Sequence, residues 1–300
     1  MASRGQLEFI GGSLAGGCGV LVGQPFDTLK VRLQSGQFDQ AGRPSTVAAA
    51  LRNTVQAEGA RALFKGLLAP LLSTSLLNAI VFSVKGWTLR ALHGPAASQP
   101  QFAAPLSSIA ASGALAGAVS TIIGTPAELL KCQLQVRKGE IALGAGNVAV
   151  ARQLLREGGV LALYRGQTTM LCRETLAFAT YFTVYEVVKR GFNPYMSSSE
   201  GSQVANPMFV QMFAGAVTGI CTWGLVCPID VLKTRVQTAR CNGPPLRIPA
   251  VIADLSREPG GLVRGLYRGI VPSLMRGVPT NMVMFPVYEG FMRFASPESR

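Results

Sequence analysis

The sequence predicts an all-α membrane protein, with six transmembrane helices in three tandem repeats of about 100 residues, pseudo-threefold symmetry and short helices between the spans. Three observations predict it. The segments QPFDTLKVRLQ (24–34), TPAELLKCQLQ (125–135) and CPIDVLKTRVQ (227–237) align without gaps, and their prolines, Pro25, Pro126 and Pro228, stand 101 and 102 residues apart. Apolar residues make up 48% of the 300, and charged residues only 14%, against about 25% in an ordinary soluble domain. Each repeat holds two apolar runs of about the 20 residues that cross a bilayer.

Each repeat follows one plan. Glycines stand 13 and 9 residues before each proline: Gly12 and Gly16, Gly113 and Gly117, Gly215 and Gly219. Small residues at four-residue spacing let helix backbones approach closely in lipid, so these stripes predict tight helix–helix contact. After each proline come an acid at +2, a lysine at +5 and a glutamine at +9. A polar loop follows, with a short amphipathic helix expected at Val47–Gln56, Asn147–Leu155 and Ile248–Leu255. An aromatic–base–Gly triplet then opens the second apolar run: Phe64-Lys65-Gly66, Tyr164-Arg165-Gly166 and Tyr267-Arg268-Gly269. The second helices are expected over Leu67–Leu92, Gln167–Val188 and Ile270–Phe294. The repeats divide as 1–100, 101–203 and 204–300, joined by linkers read as turns.

Charge orients the chain. The three loops inside the repeats (35–66, 136–166, 238–269) hold 14 Lys+Arg against 6 Asp+Glu, whereas the two linkers (86–104, 190–207) carry only Arg90 and Arg190 as bases. By the positive-inside rule the long loops face one compartment and both termini the other. The net charge of +13 is spread over three loops with no stacking platform of aromatics, which argues against nucleic acid as the partner. The six cysteines form no Cys-x-x-Cys pair and there is a single histidine, His93, so no metal site, cofactor or enzymatic centre is expected. The stretch Met1–Phe9 lacks the apolar core of a secretory signal.

Charges at membrane depth are costly and mark function. On a helix, Asp27, Lys30 and Gln34 share one face, and the same holds in the other repeats. Three such helices with their stripes inward would close a ring of ion pairs, in which Asp27, Glu128 and Asp230 meet Lys30, Lys131 and Lys233. A ring that must break for passage is a gate.

These motifs carry a resemblance. The repeated Pro-x-acid-x-x-base-x-base-x-Gln followed by aromatic–base–Gly is similar to the mitochondrial carrier family over essentially the whole chain. The resemblance implies a central substrate site between a matrix and a cytoplasmic gate, in the mitochondrial inner membrane, with termini toward the intermembrane space, in a monomer. It makes Gln34, Gln135 and Gln237 braces of the matrix-gate ion pairs. It makes Lys65, Gly66, Arg165, Gly166, Arg268 and Gly269 cardiolipin-binding positions, where amides at helix starts hold phosphate. The family's cytoplasmic motif is complete only at Tyr185-Glu186-Val187-Val188-Lys189; Met292 replaces a base after Glu289, and Lys85 stands where an acid is expected. One pair, Lys189 with Glu289, remains for a weak outer gate. Gln133 replaces a base in the second motif.

Substrate residues carried over from the family are Ser73, Leu77 and Asn78 in repeat one, Arg173 and Glu174 in repeat two, and Arg276 in repeat three. An arginine holds a carboxylate bidentately and Glu174 faces an ammonium, a pattern for a zwitterionic metabolite. Trp223 and the segment Leu77–Phe82 resemble basic amino-acid and carnitine/acylcarnitine carriers. The expected solute is therefore a cationic amino acid, with carnitine/acylcarnitine as the alternative. A non-transporting adaptor and a proton-leak carrier are the further readings.

Overall fold

The computed structural model describes residues 4–35, 46–98, 103–136, 145–196, 207–239, 247–258 and 260–295. Those residues form ten α-helices and no strand. In repeat one these are α1 (Arg4–Gln34), α2 (Val47–Glu58) and α3 (Leu68–His93). Repeat two gives α4 (Leu106–Val136), α5 (Ala145–Gly158) and α6 (Gln167–Met196); repeat three gives α7 (Pro207–Thr238), α8 (Ile248–Arg257), α9 (Gly261–Leu266) and α10 (Ile270–Ala295). Among the described residues, three stretches are long and apolar enough to cross a membrane: Ala60–His93, Leu106–Val136 and Phe213–Thr238. The repeat motif sits in helix throughout, and α1, α4 and α7 run through Pro25, Pro126 and Pro228 without ending.

The second apolar helices start within a residue of where the sequence puts them. The middle one, α6, continues to Met196, past the expected end at Val188, so part of the second linker is helical. Short helical turns at Ala60–Phe64 and Val160–Tyr164, and α9 in the third repeat, precede the aromatic–base–Gly triplets and were not visible in the pattern. The first linker also winds into a helical turn, Gly94–Ser98.

Burial is inverted relative to a soluble protein. Gln24, Thr28, Arg32, Gln34, Gln135, Thr218 and Gln237 are buried, whereas Leu72, Phe82, Ile122, Ile220 and Met282 are more than half exposed on long helices. Apolar side chains facing outward around polar interiors are what lipid solvates.

By internal contacts the chain divides into two compact units: residues 1–77, 123–166 and 231–300, and residues 78–122 with 167–230. The first unit contains three small apolar clusters built alike. Leu29 and Leu33 pack with Ala50 and Leu63, Leu129 and Leu134 with Val150 and Leu154, and Val231 and Val236 with Val251 and Leu255. In each, the short amphipathic helix buries its apolar face on the last turns of its repeat's first long helix. The second unit has one cluster, Val81, Ala104, Ile109, Ala116 and Phe182.

The glycine stripes do not act alike. A Cβ on Gly113 would meet the Phe178 carbonyl at 2.7 Å, and one on Gly117 would run into the Glu174 carbonyl, so α4 packs backbone to backbone on α6 as the stripe predicts. At Gly12, Gly16, Gly215 and Gly219 nothing among the described residues lies within 4 Å. There the expectation of close contact fails. In α1 the close approach lies further along, where a Cβ on Gly19 would meet Met284 Cγ at 2.7 Å and one on Gly23 Arg276 Nε at 2.9 Å.

Candidate functional site

In the first unit, the motif acids and lysines form two ion pairs between repeats. Lys131 Nζ donates to Asp27 Oδ2 at 2.6 Å, and Lys233 Nζ to Glu128 Oε2 at 2.7 Å. The other oxygen of Asp27 accepts from Arg276 Nη1 at 2.9 Å. That arginine reaches α1 because Gly23, one turn before Asp27, has no side chain in its path. The signal for this was a glycine at the fourth position before the acid, which the stripe reading overlooked.

In the second unit, Arg173 ion-pairs with Glu174, its neighbour on α6, and its Nε lies 3.3 Å from Asp230 Oδ1. Its guanidinium carbon is 5.6 Å from the centroid of the Trp223 ring. Glu174 and Asp230 are buried and Arg173 partly so. A cation, two carboxylates and an indole thus meet away from water, where each charge interaction is stronger than in solution. Both arginines assigned to substrate, Arg173 and Arg276, therefore sit on acids of the repeat motif, Asp230 and Asp27. Spacing within one motif gave no hint of that. Asn78 is exposed, and Ser73 and Leu77 are half-buried.

Two of the glutamines hydrogen-bond to threonines. Gln34 Oε1 accepts from Thr234 at 2.8 Å, and Gln135 Nε2 donates to Thr28 at 3.2 Å. The buried Gln237 amide has no hydrogen-bond partner among the described residues. Gln34 and Gln135 thus each bond a threonine of another repeat.

The residue at +7 of each motif, off the face that the acid, lysine and glutamine share, links the repeats. Arg32 Nε donates to the Gln135 carbonyl at 2.8 Å, Gln133 Nε2 to the Gln237 carbonyl at 2.6 Å, and Arg235 Nε to the Gln34 carbonyl at 3.1 Å. Those carbonyls belong to the last turns of α4, α7 and α1, which lack helical partners, so each repeat caps the next. Arg32 also pairs with Glu58 at 2.8 Å, and Glu58 with Lys65. Burial opposes the Glu58 charge, but hydrogen bonds from Lys65 and Arg32 outweigh it and hold the carboxyl below its ordinary value.

At the other end, Glu186 pairs with Arg190 on its own helix at 2.8 Å. The expected Lys189–Glu289 pair lies outside the described residues, because the side chain of Glu289 is not among them.

The aromatic–base–Gly triplets require their glycines. Gly66, Gly166 and Gly269 have φ of 75°, 81° and 83°, conformations that L side chains rarely adopt. Gly66 and Gly269 also lie against Lys131 and Gln34. They turn the chain into α3, α6 and α10. Lys65 and Arg268 are already ion-paired, with Glu58 and Glu258. Among the described residues no group of three His, Cys, Asp or Glu can hold a metal.

The profile of the mitochondrial carrier protein family matches residues 5–95, 103–196 and 205–299. Protein dif-1 of Caenorhabditis elegans is 37% identical over 289 residues, covering 93% of this chain and 88% of its own length. The mitochondrial basic amino acids transporter of Bos taurus is 34% identical over 295 residues (97% and 93%). The mitochondrial carnitine/acylcarnitine carrier protein of Macaca fascicularis is 33% identical over 295 residues (96% and 93%).

Proposed function

The chain belongs to the mitochondrial carrier family, and within it we propose that the protein moves a metabolite bearing both a carboxylate and an ammonium or guanidinium group, a cationic amino acid of the arginine, lysine or ornithine type. The observation that carries this reading is the cluster of Arg173 with Glu174, Asp230 and Trp223. A fixed base beside fixed acids matches a zwitterion whose side chain is also cationic. The carboxylate competes with Glu174 and Asp230 for Arg173, or with Asp27 for Arg276, and the freed acids then receive the solute's cation. Ser73, Leu77 and Asn78 of α3, which the family resemblance assigns to the solute, belong to the same reading. The names of the bovine and macaque relatives support the class.

Because Arg276 and Lys131 share Asp27, a solute that draws Arg276 away leaves that acid to Lys131 alone and so changes the ion pairs of the inner motif. Binding thereby biases the gate, as alternating access requires. The inner-membrane location, the long basic loops in the matrix, the termini in the intermembrane space, phospholipid held at Gly66, Gly166 and Gly269, and a monomeric carrier belong to the same reading.

A second reading is carnitine/acylcarnitine exchange. It is favoured by Leu77, which leaves an apolar wall where a quaternary ammonium or acyl chain would lie, and by the indole of Trp223.

Uptake of labelled arginine into liposomes that hold the purified protein and internal arginine tests the proposal, with ornithine, lysine, carnitine and palmitoylcarnitine as competitors. Uptake that collapses in Arg276→Ala and Glu174→Gln supports it. Carnitine exchange without arginine uptake moves the assignment to the second reading. Folded protein that moves neither solute overturns both.

A further inference from the structure

Lys85 departs from the family pattern in charge sign, and the structure gives it an unusual seat. Its Nζ lies 3.9 Å from the centroid of the Phe182 ring. That ring is buried and held on several sides. Phe178 stacks near it with centroids 6.0 Å apart, Tyr181 meets it edge-on at 5.5 Å, and Phe82 at 6.2 Å. Gly113 lets α4 press against the ring edge, since a Cβ there would come within 3.0 Å of Phe182 Cδ2. Glu186, one turn along α6 from Phe182 and 2.8 Å from Arg190 Nε, supplies a carboxylate on the same helix as the ring. A rigid ring face with an acid one turn away is what binds organic cations.

We propose that the Phe182 face with Glu186 is a cation subsite for the transported solute, and that Lys85 is its tethered resident, which the solute's ammonium or guanidinium displaces. The proposal rests on the cationic-substrate reading and adds a second recognition point to it. In that reading the subsite lies toward the end of α3 and α6 opposite the long basic loops. The solute's cation takes the ring, and Lys85, swung off, faces the solute's carboxylate.

The test compares Lys85→Met, Lys85→Arg and Phe182→Leu in liposomes. Removing the resident lowers the KM for arginine about three- to tenfold, the range of one partly desolvated cation–π contact, with kcat changed less. Phe182→Leu raises KM by a similar factor, and Lys85→Arg behaves as the parent. A pure packing contact instead moves both variants in the same direction, and that result overturns the proposal. Citrulline, a neutral analogue of arginine, provides a check independent of Phe182→Leu folding. Its competition is unchanged by Lys85→Met; a gain for citrulline equal to that for arginine also overturns the proposal. Should the parent move no cationic solute, the substrate reading falls by itself. The subsite is then judged by thermal stabilisation with tetramethylammonium, expected to be larger in Lys85→Met than in the parent, and equal shifts overturn it.

Discussion

Arg32 and Arg235 each hold a carbonyl ending the first helix of another repeat and a glutamate of their own repeat, whereas Gln133 at the equivalent place in repeat two donates to two carbonyls. Glu58 and Glu258 are each bridged by two bases, Arg32 with Lys65 and Arg235 with Arg268. In repeat two, Glu157 is exposed and accepts from Gln153 at 2.7 Å. The middle repeat thus keeps the cap and gives up the ion-pair network. Inside the membrane the order reverses. Its glycines, Gly113 and Gly117, are the pair at which two helices touch backbone to backbone, while the equivalent glycines of the other repeats face open space among the described residues. The comparison teaches that the capping bond is the common requirement of the threefold plan. Charge networks and close packing are alternative ways of holding a short helix or a long one in place.

The largest effect that would break this comparison is expected at Arg32. It is nearly fully buried, and Arg32→Ala removes the cap on Gln135 and leaves Glu58 with Lys65 as its ion-pair partner among the described residues. Breaking a buried pair by removing one partner costs about 3–5 kcal/mol. The variant is expected to lose most of its thermal stability in detergent, read as Tm, and a Tm loss no larger than that of Gln133→Ala would show the network to be irrelevant. Next comes Gly117→Ala. Its methyl runs into the Glu174 carbonyl, so α4 must move off α6, and overpacking of this kind costs about 1–3 kcal/mol. Gly16→Ala and Gly219→Ala meet nothing among the described residues and are expected within about 0.5 kcal/mol of the parent. Equal Tm values for Gly117→Ala and Gly219→Ala would remove the contrast. Gln133→Ala deletes a neutral donor shared by the carbonyls of Gln237 and Ala239, a loss of about 1–2 kcal/mol.

Much of this was legible in the sequence because it repeats. Three copies of one motif locate the helices, and a face shared by acid and lysine places Asp27 against Lys131 and Glu128 against Lys233. What was not legible are contacts set by neighbours that the motif does not contain. Nothing in Gly12-x-x-x-Gly16 distinguishes it from Gly113-x-x-x-Gly117, yet among the described residues only the second is pressed by another helix, since a small residue permits an approach without compelling it. Arg276 on Asp27 and Arg173 on Asp230 were likewise hidden, because each arginine was read for the solute and each acid for the ring. The threonine partners of Gln34 and Gln135, Thr234 and Thr28, were hidden for a similar reason, since each lies on another repeat.

The smallest effect concerns acid. In the folded chain Glu58 ionises below its ordinary value of 4.5, because the bonds from Lys65 and Arg32 outweigh its burial. A carboxyl whose folded value is depressed contributes stability that is present above the unfolded value and is lost as pH falls through the folded one. The Tm of the parent is therefore expected to hold from neutral pH to about 4.5 and then to fall, with Glu58 supplying part of the slope. In Glu58→Gln the charge is absent at every pH, so the variant starts lower at neutral pH and loses less between pH 5 and pH 3.5. Glu157→Gln, in the repeat without the network, should follow the parent's curve. A Glu157→Gln curve as flat as that of Glu58→Gln would mean that the acid response is spread over the whole chain. The bridged glutamates of repeats one and three would then do nothing that an exposed one does not.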